Sequence, residues 1–257
     1  MNELLRYRDL LWMMTWRDIR IKYKQSILGV MWAVLMPAII VGAGILVKFA
    51  LARLSARSMD LQDVATVSVK AIPWAFVVAS LRFTSTSLIS NATLVTKIYM
   101  PREIFPLAAV ASQLFDLTVA CVVLTAIFSA AGIGASWQLL WILPLVGVLV
   151  ILMVGLGLLV SSGSLFFRDV KYIVEVLVTF AIFFTPVFYD SEMFGEQAFL
   201  LKLNPVTPIL EGLSRTVVFH RPPEIFWISY SFIVAVATCG ASYLLFKKVE
   251  PSFAECI

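Results

Sequence analysis

The sequence predicts an all-α membrane protein, and two properties of its composition carry this prediction. Hydrophobic residues make up 61% of the 257 residues and charged residues only 14%, whereas about 25% of a soluble domain is charged. So few polar residues could not form the surface of a soluble fold of this length. Apolar segments of the roughly 20 residues that a spanning helix needs also recur along the chain.

Six segments are predicted to cross the membrane as helices. They are Ile27–Leu51, Ile72–Val95, Pro106–Gly132, Leu139–Phe166, Val170–Tyr189 and Phe226–Phe246. The second is the weakest, because it is rich in Ser and Thr. No Gly-, Ser- or Pro-rich linker divides the chain, so we expect one domain over residues 1–257.

The distribution of Lys and Arg predicts that both termini are cytoplasmic. With an internal N-terminus, twelve basic residues fall in the internal segments and seven in the external ones, as the positive-inside rule requires. The net charge of +4 could also suggest nucleic acid. We reject that interpretation, because the basic residues gather at the ends of the apolar segments.

Residues 1–26 are predicted to form an interfacial helix. Trp12, Trp16, Ile19 and Tyr23 follow the spacing i, i+4, i+7 and i+11, and charged residues flank them. An apolar stripe of this kind, with Trp at its centre, is typical of a helix lying in the membrane interface. An ordinary juxtamembrane anchor is the alternative.

The segment between the fifth and sixth spans, residues 190–224, is too long for a turn and too apolar for a solvated loop. Asn204-Pro205 divides it, and Glu211 and Arg215 follow at the i, i+4 spacing of a helical ion pair. The pattern predicts two re-entrant half-helices. A partly structured external loop is the alternative.

Polar residues inside the second and third spans are candidate functional groups, because polar groups are costly in the bilayer. One helical face of the second span carries Ser80, Thr84, Ser87 and Asn91. This face could line a hydrophilic path, or it could pack against another helix.

Two charged residues are predicted to form an intramembrane ion pair between consecutive spans. Arg82 and Asp116 lie at similar depths, since Arg82 is about 12 Å along the helix from Trp74. We expect the pair to be structural, and a substrate-facing Arg82 is the alternative.

Aromatic residues form a stripe on the fifth span. Phe180, Phe184 and Phe188 recur at every fourth position, with Tyr189 beside them. Such a face could hold sugar rings while letting them slide, although lipid-facing or core packing is the commoner use of Phe. Periodicity alone favours packing.

Sequence motifs for catalysis and for nucleotide or metal binding are missing. The chain has no G-x-x-x-x-G-K-[ST] phosphate loop, no G-x-S-x-G elbow and no H-E-x-x-H pair, and His220 is its only histidine. We therefore predict no catalytic, cofactor-binding or metal-binding residues. A transporter or a channel fits better than an enzyme, and no substrate is indicated.

Six sequence blocks, spread in order over nearly the whole chain, add a family resemblance. They are RDIRIKYKQSIL (residues 17–28), NATLVTKIYMPREIFP (91–106), FFRDVKY (166–172), TPVFY (185–189), LNPVTPILEG (203–212) and FKKVEPSFAECI (246–257). In these blocks the chain resembles the permease subunits of ABC-2 type polysaccharide exporters, which serve O-antigen, capsule and teichoic acid. The run VKAIPW (69–74) and Arg82 depart from the family pattern.

The resemblance implies a homodimer of permeases in the bacterial inner membrane, paired with two copies of a separate ATPase subunit. ATP and Mg would bind to that partner, and the cargo would be a lipid-linked glycan. Lys97, Tyr99, Arg102 and Glu103 would lie on the coupling segment that contacts the ATPase. Because the implied cargo contains sugar rings, the resemblance favours the aromatic stripe as a surface along which the glycan moves.

Three other functions fit the sequence less well. One is an ABC-2 permease for a small molecule or drug, which would share the fold and differ in cargo. Another is a channel, which would need no ATPase partner. The third is a membrane-embedded lipid-modifying enzyme, which would need a cluster of ionisable residues at one membrane face. Arg168, Asp169, Lys171 and Glu175 are the nearest such cluster.

Overall fold

A computed structural model describes residues 7–24, 29–54, 60–97, 100–134 and 136–253. The regular structure in these ranges is helical, as the sequence predicts, and it contains no strand. The α-helices are α1 (Arg8–Tyr23), α2 (Trp32–Leu54), α3 (Leu61–Ser90), α4 (Ala92–Lys97), α5 (Ile104–Ala130), α6 (Ile142–Phe166), α7 (Val170–Phe184), α8 (Ala198–Lys202), α9 (Val206–Val217) and α10 (Ile225–Val249). Short 3₁₀ turns occur at Gly29–Met31, Trp137–Trp141, Ser191–Gln197 and Glu250–Ser252.

Five helical segments are long and apolar enough to cross a membrane. They are Trp32–Ala50, Leu61–Ser90, Ile104–Ala130, Trp137–Phe166 and Ile225–Ser252. These segments overlap the first, second, third, fourth and sixth predicted spans. The chain is therefore a multi-pass membrane protein.

The fifth predicted span contains the shorter helix α7. This helix has 15 residues and is about 22 Å long at 1.5 Å per residue, whereas the hydrocarbon core is about 30 Å thick. It ends at Phe184 because Thr185 precedes Pro186, and a residue before proline is disfavoured in the α region. Thr185 accordingly has φ −118° and ψ 126°. Helix lengths alone support five spans, and the sixth stays a prediction.

The bundle has two chemically different ends. At the first, which we call the Phe253 end, the rings of Phe253 and Phe246 meet edge to face with centroids 5.1 Å apart, and Phe105 and Leu165 join the same cluster. At the second, the Asp190 end, Asp190 contacts Lys48 of α2 and Lys70 of α3. The start of α5 and the finish of α10 thus share one end, which defines the direction of every long helix.

Helix α3 lies at the centre of the bundle. It contacts α2, α5, α6, α7 and α9, and the share of its apolar window buried by the protein is 72%, against 17% for α2. Its first turn is closed by a capping box, in which Asp60 caps Leu61 and Asp63 accepts from the Asp60 N–H group.

The N-terminal helix α1 packs along α5. Its predicted apolar stripe divides in two. Trp12 and Trp16 are exposed and stack with ring centroids 6.4 Å apart, whereas Tyr23 hydrogen-bonds to Asp116 of α5. The exposed tryptophans suit a membrane interface, and that placement stays a prediction.

The segment between α7 and α10 contains two helices of unequal length. Helix α8 has five residues and α9 has twelve. Helix α9 packs against α3, α6 and α10, and its apolar residues Ile209, Leu210 and Leu213 are buried in the main core. The division at Asn204-Pro205 agrees with the sequence, and the re-entrant membrane depth stays a prediction.

The contact between α6 and α10 gives a stability prediction. A Cβ added at Gly155 would lie 2.8 Å from the Cα and 2.8 Å from the backbone N of Cys239. Backbone atoms cannot move aside as a side chain can, so Gly155→Ala should lower the free energy of unfolding by roughly 1–3 kcal/mol. Thermal unfolding of the purified protein in detergent would measure the loss.

Gly147→Ala is the matched control in the same helix, because a Cβ there meets nothing within 4 Å. This variant should be neutral or slightly more stable, since alanine favours a helix over glycine by about 1 kcal/mol. Equal unfolding temperatures for the two variants would contradict the close contact.

Candidate functional site

The structure corrects the predicted ion pair between Arg82 and Asp116. Asp116 accepts hydrogen bonds from the Lys22 ammonium and the Tyr23 hydroxyl, both on α1. Arg82 turns toward α7, where its Nη2 lies 3.6 Å from Oε1 of Glu175. Similar depth on consecutive spans predicts a possible pair, but it does not reveal partners on α1 and α7.

A cavity of about 360 Å³ is lined by Lys22 and Asp116 of one corrected pair and by Arg82 of the other. Its walls come from α2, α3 and α5, and the final turn of α1 closes one side. Lys22, Arg82, Gln113 and Asp116 provide its polar groups, and the other lining side chains are apolar. Lys22 also donates to Oε1 of Gln113 at 3.0 Å. The arrangement is a mainly apolar pocket with charged groups in its wall.

The hydroxyl stripe of α3 is buried within the chain. Ser80, Thr84 and Ser87 are all buried, and a Cβ added at Gly157 of α6 would lie 2.9 Å from Cγ2 of Thr84. Thr84 donates to the Ser80 carbonyl at 2.7 Å, and Asn91 donates to the Ser87 carbonyl at 2.7 Å. This is the helix-packing arrangement that the sequence allowed as the alternative to a hydrophilic path.

The aromatic stripe is divided by the end of α7. The side chains of Phe180 and Phe184 are exposed on that helix, as is Phe183. Phe188 lies beyond the helix and packs against α2, where a Cβ added at Gly44 would come within 2.6 Å of its ring. Tyr189 donates its hydroxyl to the Phe183 carbonyl at 2.7 Å. The helical register therefore relates Phe180 to Phe184 and does not extend to Phe188.

Two of the predicted coupling residues are engaged inside the chain. Glu103 is 1% exposed, and its Oε2 accepts from Lys247 of α10 at 2.8 Å. The backbone N–H of Arg102 donates to Oε1 of Glu250 at 3.2 Å, and its guanidinium also donates to the Glu250 carbonyl. These contacts fasten the segment before α5 to the end of α10.

The other two predicted coupling residues are Lys97 and Tyr99. Lys97 ends α4 and is exposed, so it is available to a partner. Tyr99 lies outside the described residues.

The Asp190 end holds a charge cluster that sequence reasoning missed. Lys70 is 1% exposed, and it donates to Oδ1 of Asp190 at 2.6 Å and to the Tyr189 carbonyl at 3.1 Å. Lys48 lies 3.5 Å from Asp190 and 3.2 Å from Asp63. Burial raises the pKa of Asp190, but the two ammonium groups outweigh it and the net pKa is lowered. The sequence signal for this cluster is the position of Lys48 and Lys70 within or beside apolar segments.

A second cluster joins α8 and α9 to the start of α10. Glu224 accepts from Lys202 at 2.8 Å and from Arg215. Burial raises the pKa of the Glu224 carboxyl, whereas Lys202 and Arg215 lower it. The lowering is the larger effect, so the net pKa is below its usual value. Arg215 is thus bound to Glu224, whereas Glu211 accepts from the Ser191 N–H at 3.0 Å. The predicted Glu211–Arg215 pair is corrected accordingly.

These features together define a class of protein. A multi-pass helical bundle with paired charges at membrane depth is typical of membrane transport proteins. Within the described ranges, no group of three or more His, Cys, Asp or Glu side chains could hold a metal ion.

Comparison with known proteins gives the family. Residues 9–218 match the ABC-2 type transporter family, and the chain belongs to it. The chain is 24% identical over 249 residues to the O-antigen export system permease protein RfbA of Klebsiella pneumoniae, covering 96% of this chain and 94% of that protein. It is 23% identical over 259 residues to the protein of that name from Myxococcus xanthus, covering 100% of this chain and 98% of the relative.

The Glu103–Lys247 contact gives a prediction about stability at the Phe253 end. Lys247→Met would leave the buried Glu103 carboxylate without this partner. Breaking a buried pair costs roughly 3–5 kcal/mol, and we expect the lower part of that range because the Lys247 side chain is 30% exposed. Denaturant or thermal unfolding in detergent would report the change.

The adjacent Lys248 is the matched control for this prediction, because its side chain is exposed. Lys248→Met should change stability little. The double variant Glu103→Met with Lys247→Met should recover most of the loss, since no buried charge then remains unpaired. Failure of the double variant to recover would show that the loss in Lys247→Met does not come from an unpaired Glu103 carboxylate.

Proposed function

We propose that this chain is the permease subunit of an ATP-driven exporter for a lipid-linked polysaccharide resembling O-antigen. The observation that carries the proposal is similarity over nearly the full length to O-antigen export permeases from two bacteria. The missing phosphate loop supports a separate ATPase subunit as the site of ATP and Mg binding.

The proposed working form is a permease homodimer with two ATPase subunits in the bacterial inner membrane. The exposed face of α7 supports pairing with a second copy, because it combines apolar side chains with the charged Glu175. A charge at membrane depth faces protein or water more favourably than lipid. The sixth crossing would be formed by α7 with residues 185–189, and α8 and α9 would be re-entrant.

The Phe253 end is proposed to be cytoplasmic and to receive the ATPase. The bias of basic residues supports this orientation. Lys97 is the exposed member of the proposed coupling set, whereas Arg102 and Glu103 are held by α10 and the residues after it. Lys97 is therefore the better residue for a test, since replacing Glu103 would disturb an internal contact as well.

Cross-linking tests both the docking surface and the orientation. In a chain with Cys121, Cys239 and Cys256 replaced by Ala, a cysteine at Lys97 should cross-link to the ATPase subunit in membranes through a short bifunctional thiol reagent. A cysteine at Gln197 is the control, because this residue is exposed but belongs to the other end. Cross-linking from position 197 and none from position 97 would reverse the orientation.

The aromatic face of α7 is proposed as part of the glycan path. Hydrogen bonds to a fixed set of sugar groups would all break at each step of a moving polymer, whereas stacking tolerates a change of partner, as it does for bases on aromatic side chains. Phe180 and Phe184 are four residues apart, about 6 Å along the helix axis. Both are open to a neighbouring surface. Tyr189 would lie at the far end of this path, whereas the ring of Phe188 packs against α2 and no longer supports a place on it.

Export from vesicles tests both the path and the function itself. Wild-type chain reconstituted with its ATPase should move a lipid-linked glycan only when ATP is supplied. Replacing Phe180 and Phe184 together by Ala should lower the export rate several-fold while assembly with the ATPase persists. Leu at both positions keeps apolar volume without a flat face, so it should fail nearly as badly. Full export with Leu would identify these residues as ordinary packing.

A further inference from the structure

The charged groups of the cavity beside Arg82 lie toward one end, which Trp32 and Phe83 also line, and the lining at the other end is apolar. Along α3 the lining runs from Ile72 through Arg82 to Phe83, eleven residues or about 16 Å. Arg82 lies on the side of the Phe253 end, because α3 finishes there. On α5 the polar Gln113 and Asp116 likewise precede the apolar Ala120. The two helices run in opposite directions, yet both place their polar residues on the same side.

Helix α2 lines the cavity with apolar side chains along its length, including the end that holds the charged groups. Trp32, Met36 and Ile40 line it over about two helical turns. Only 17% of the apolar window of α2 is buried within the chain, so this helix covers the cavity as a thin wall beside the bilayer. A volume of about 360 Å³ falls in the range of roughly 300–1,000 Å³ found for ligand pockets.

The charged groups of the cavity are not equivalent. The Lys22 ammonium is held by both Asp116 and Gln113. Within the described part of the chain, the Arg82 guanidinium has one long contact, of 3.6 Å to Glu175, and the two side chains are 48% and 60% exposed. A guanidinium at membrane depth with so little cover requires water, protein or an anionic ligand around it.

Arginine is chemically suited to bind phosphate, and a lipid can carry a phosphate group to this depth. Its planar fork donates two parallel hydrogen bonds to a phosphate. A phosphate-headed lipid would place that phosphate at Arg82 and its hydrocarbon chain against the apolar lining between α2, α3 and α5. The amphiphilic order of the cavity thus matches the amphiphilic order of such a lipid.

We propose that this cavity binds a single lipid with a phosphate head group, and that Arg82 is the residue that receives the phosphate. Glu175, whose Oε1 lies 3.6 Å from Nη2 of Arg82, is displaced when the phosphate binds, because the two anions compete for one cation. The inference rests on the proposed function only where it takes the bound lipid to be the lipid anchor of the exported glycan. An anionic phospholipid of the bilayer offers the same chemistry.

The test is a lipid titration of the purified permease–ATPase complex, followed by native mass spectrometry. Polyprenyl phosphate is the first probe and phosphatidylglycerol is the second. Wild type should bind one probe molecule per permease chain. Arg82→Gln should weaken that binding about ten-fold or more, as expected for losing a charge-assisted pair of hydrogen bonds. Glu175→Gln should strengthen it, because the competing carboxylate is gone.

Three further variants separate a binding site from a general charge effect. Arg168→Gln is the matched control, since Arg168 is exposed in the turn between α6 and α7 and does not line the cavity. It should bind as wild type does. Arg82→Lys keeps the charge without the fork and should recover part of the affinity. Ala75→Phe fills the apolar part and should weaken binding while Arg82 remains.

The outcomes distinguish this inference from the proposed function. Dependence on Arg82 for either probe supports the site, and the preferred probe identifies the source of the lipid. Equal binding by wild type, Arg82→Gln and Ala75→Phe overturns the inference, whether or not vesicles export glycan. If wild-type vesicles export no glycan, the proposed function fails, and the titration still decides whether the lipid site exists.

Discussion

An ammonium, guanidinium or carboxylate inside an apolar bundle needs a partner of opposite charge, because leaving it alone costs several kcal/mol. In this protein the partners come from distant parts of the chain. Lys22 binds Asp116, Lys70 binds Asp190 and Lys247 binds Glu103. Each pair joins segments that the chain order would leave apart, so the need for pairing determines which helices meet.

The consequences differ at the two ends of the bundle. At the Asp190 end, Lys70 holds both the carbonyl of Tyr189 and the carboxylate of Asp190, which fixes the irregular chain after α7 to α3. At the Phe253 end, Lys247 holds Glu103, which fixes the start of α5 to the end of α10. Under the proposed function, a displacement of the segment before α5 would reach α10 through this contact. Helix α10 in turn packs closely on α6 at Gly155.

Helix α7 has a longer charge contact than these three pairs, since Oε1 of Glu175 lies 3.6 Å from Nη2 of Arg82. Its buried side rests on Val174 and Val178, while its other side presents Phe180, Phe184 and Glu175 outward. An exposed surface that mixes aromatic rings with a carboxylate suits neither water nor lipid alone. The proposed homodimer with a glycan path gives that surface a second copy and a polymer as its surroundings.

The helical class, the long spans and the family resemblance could be read from the sequence, because each depends on local composition or on short blocks in order. The end of α7 was also readable from Pro186, since proline acts on its immediate neighbours. The partners of Arg82, Asp116 and Arg215 could not be read. A helix offers several faces, and which face meets which neighbour depends on how all the helices pack together. Periodicity placed Ser80 and Thr84 on one face of α3, but only the tertiary structure decided that this face packs against α6. It likewise separated Phe188 from Phe184, because the chain turns toward Gly44 of α2 once the helix has ended.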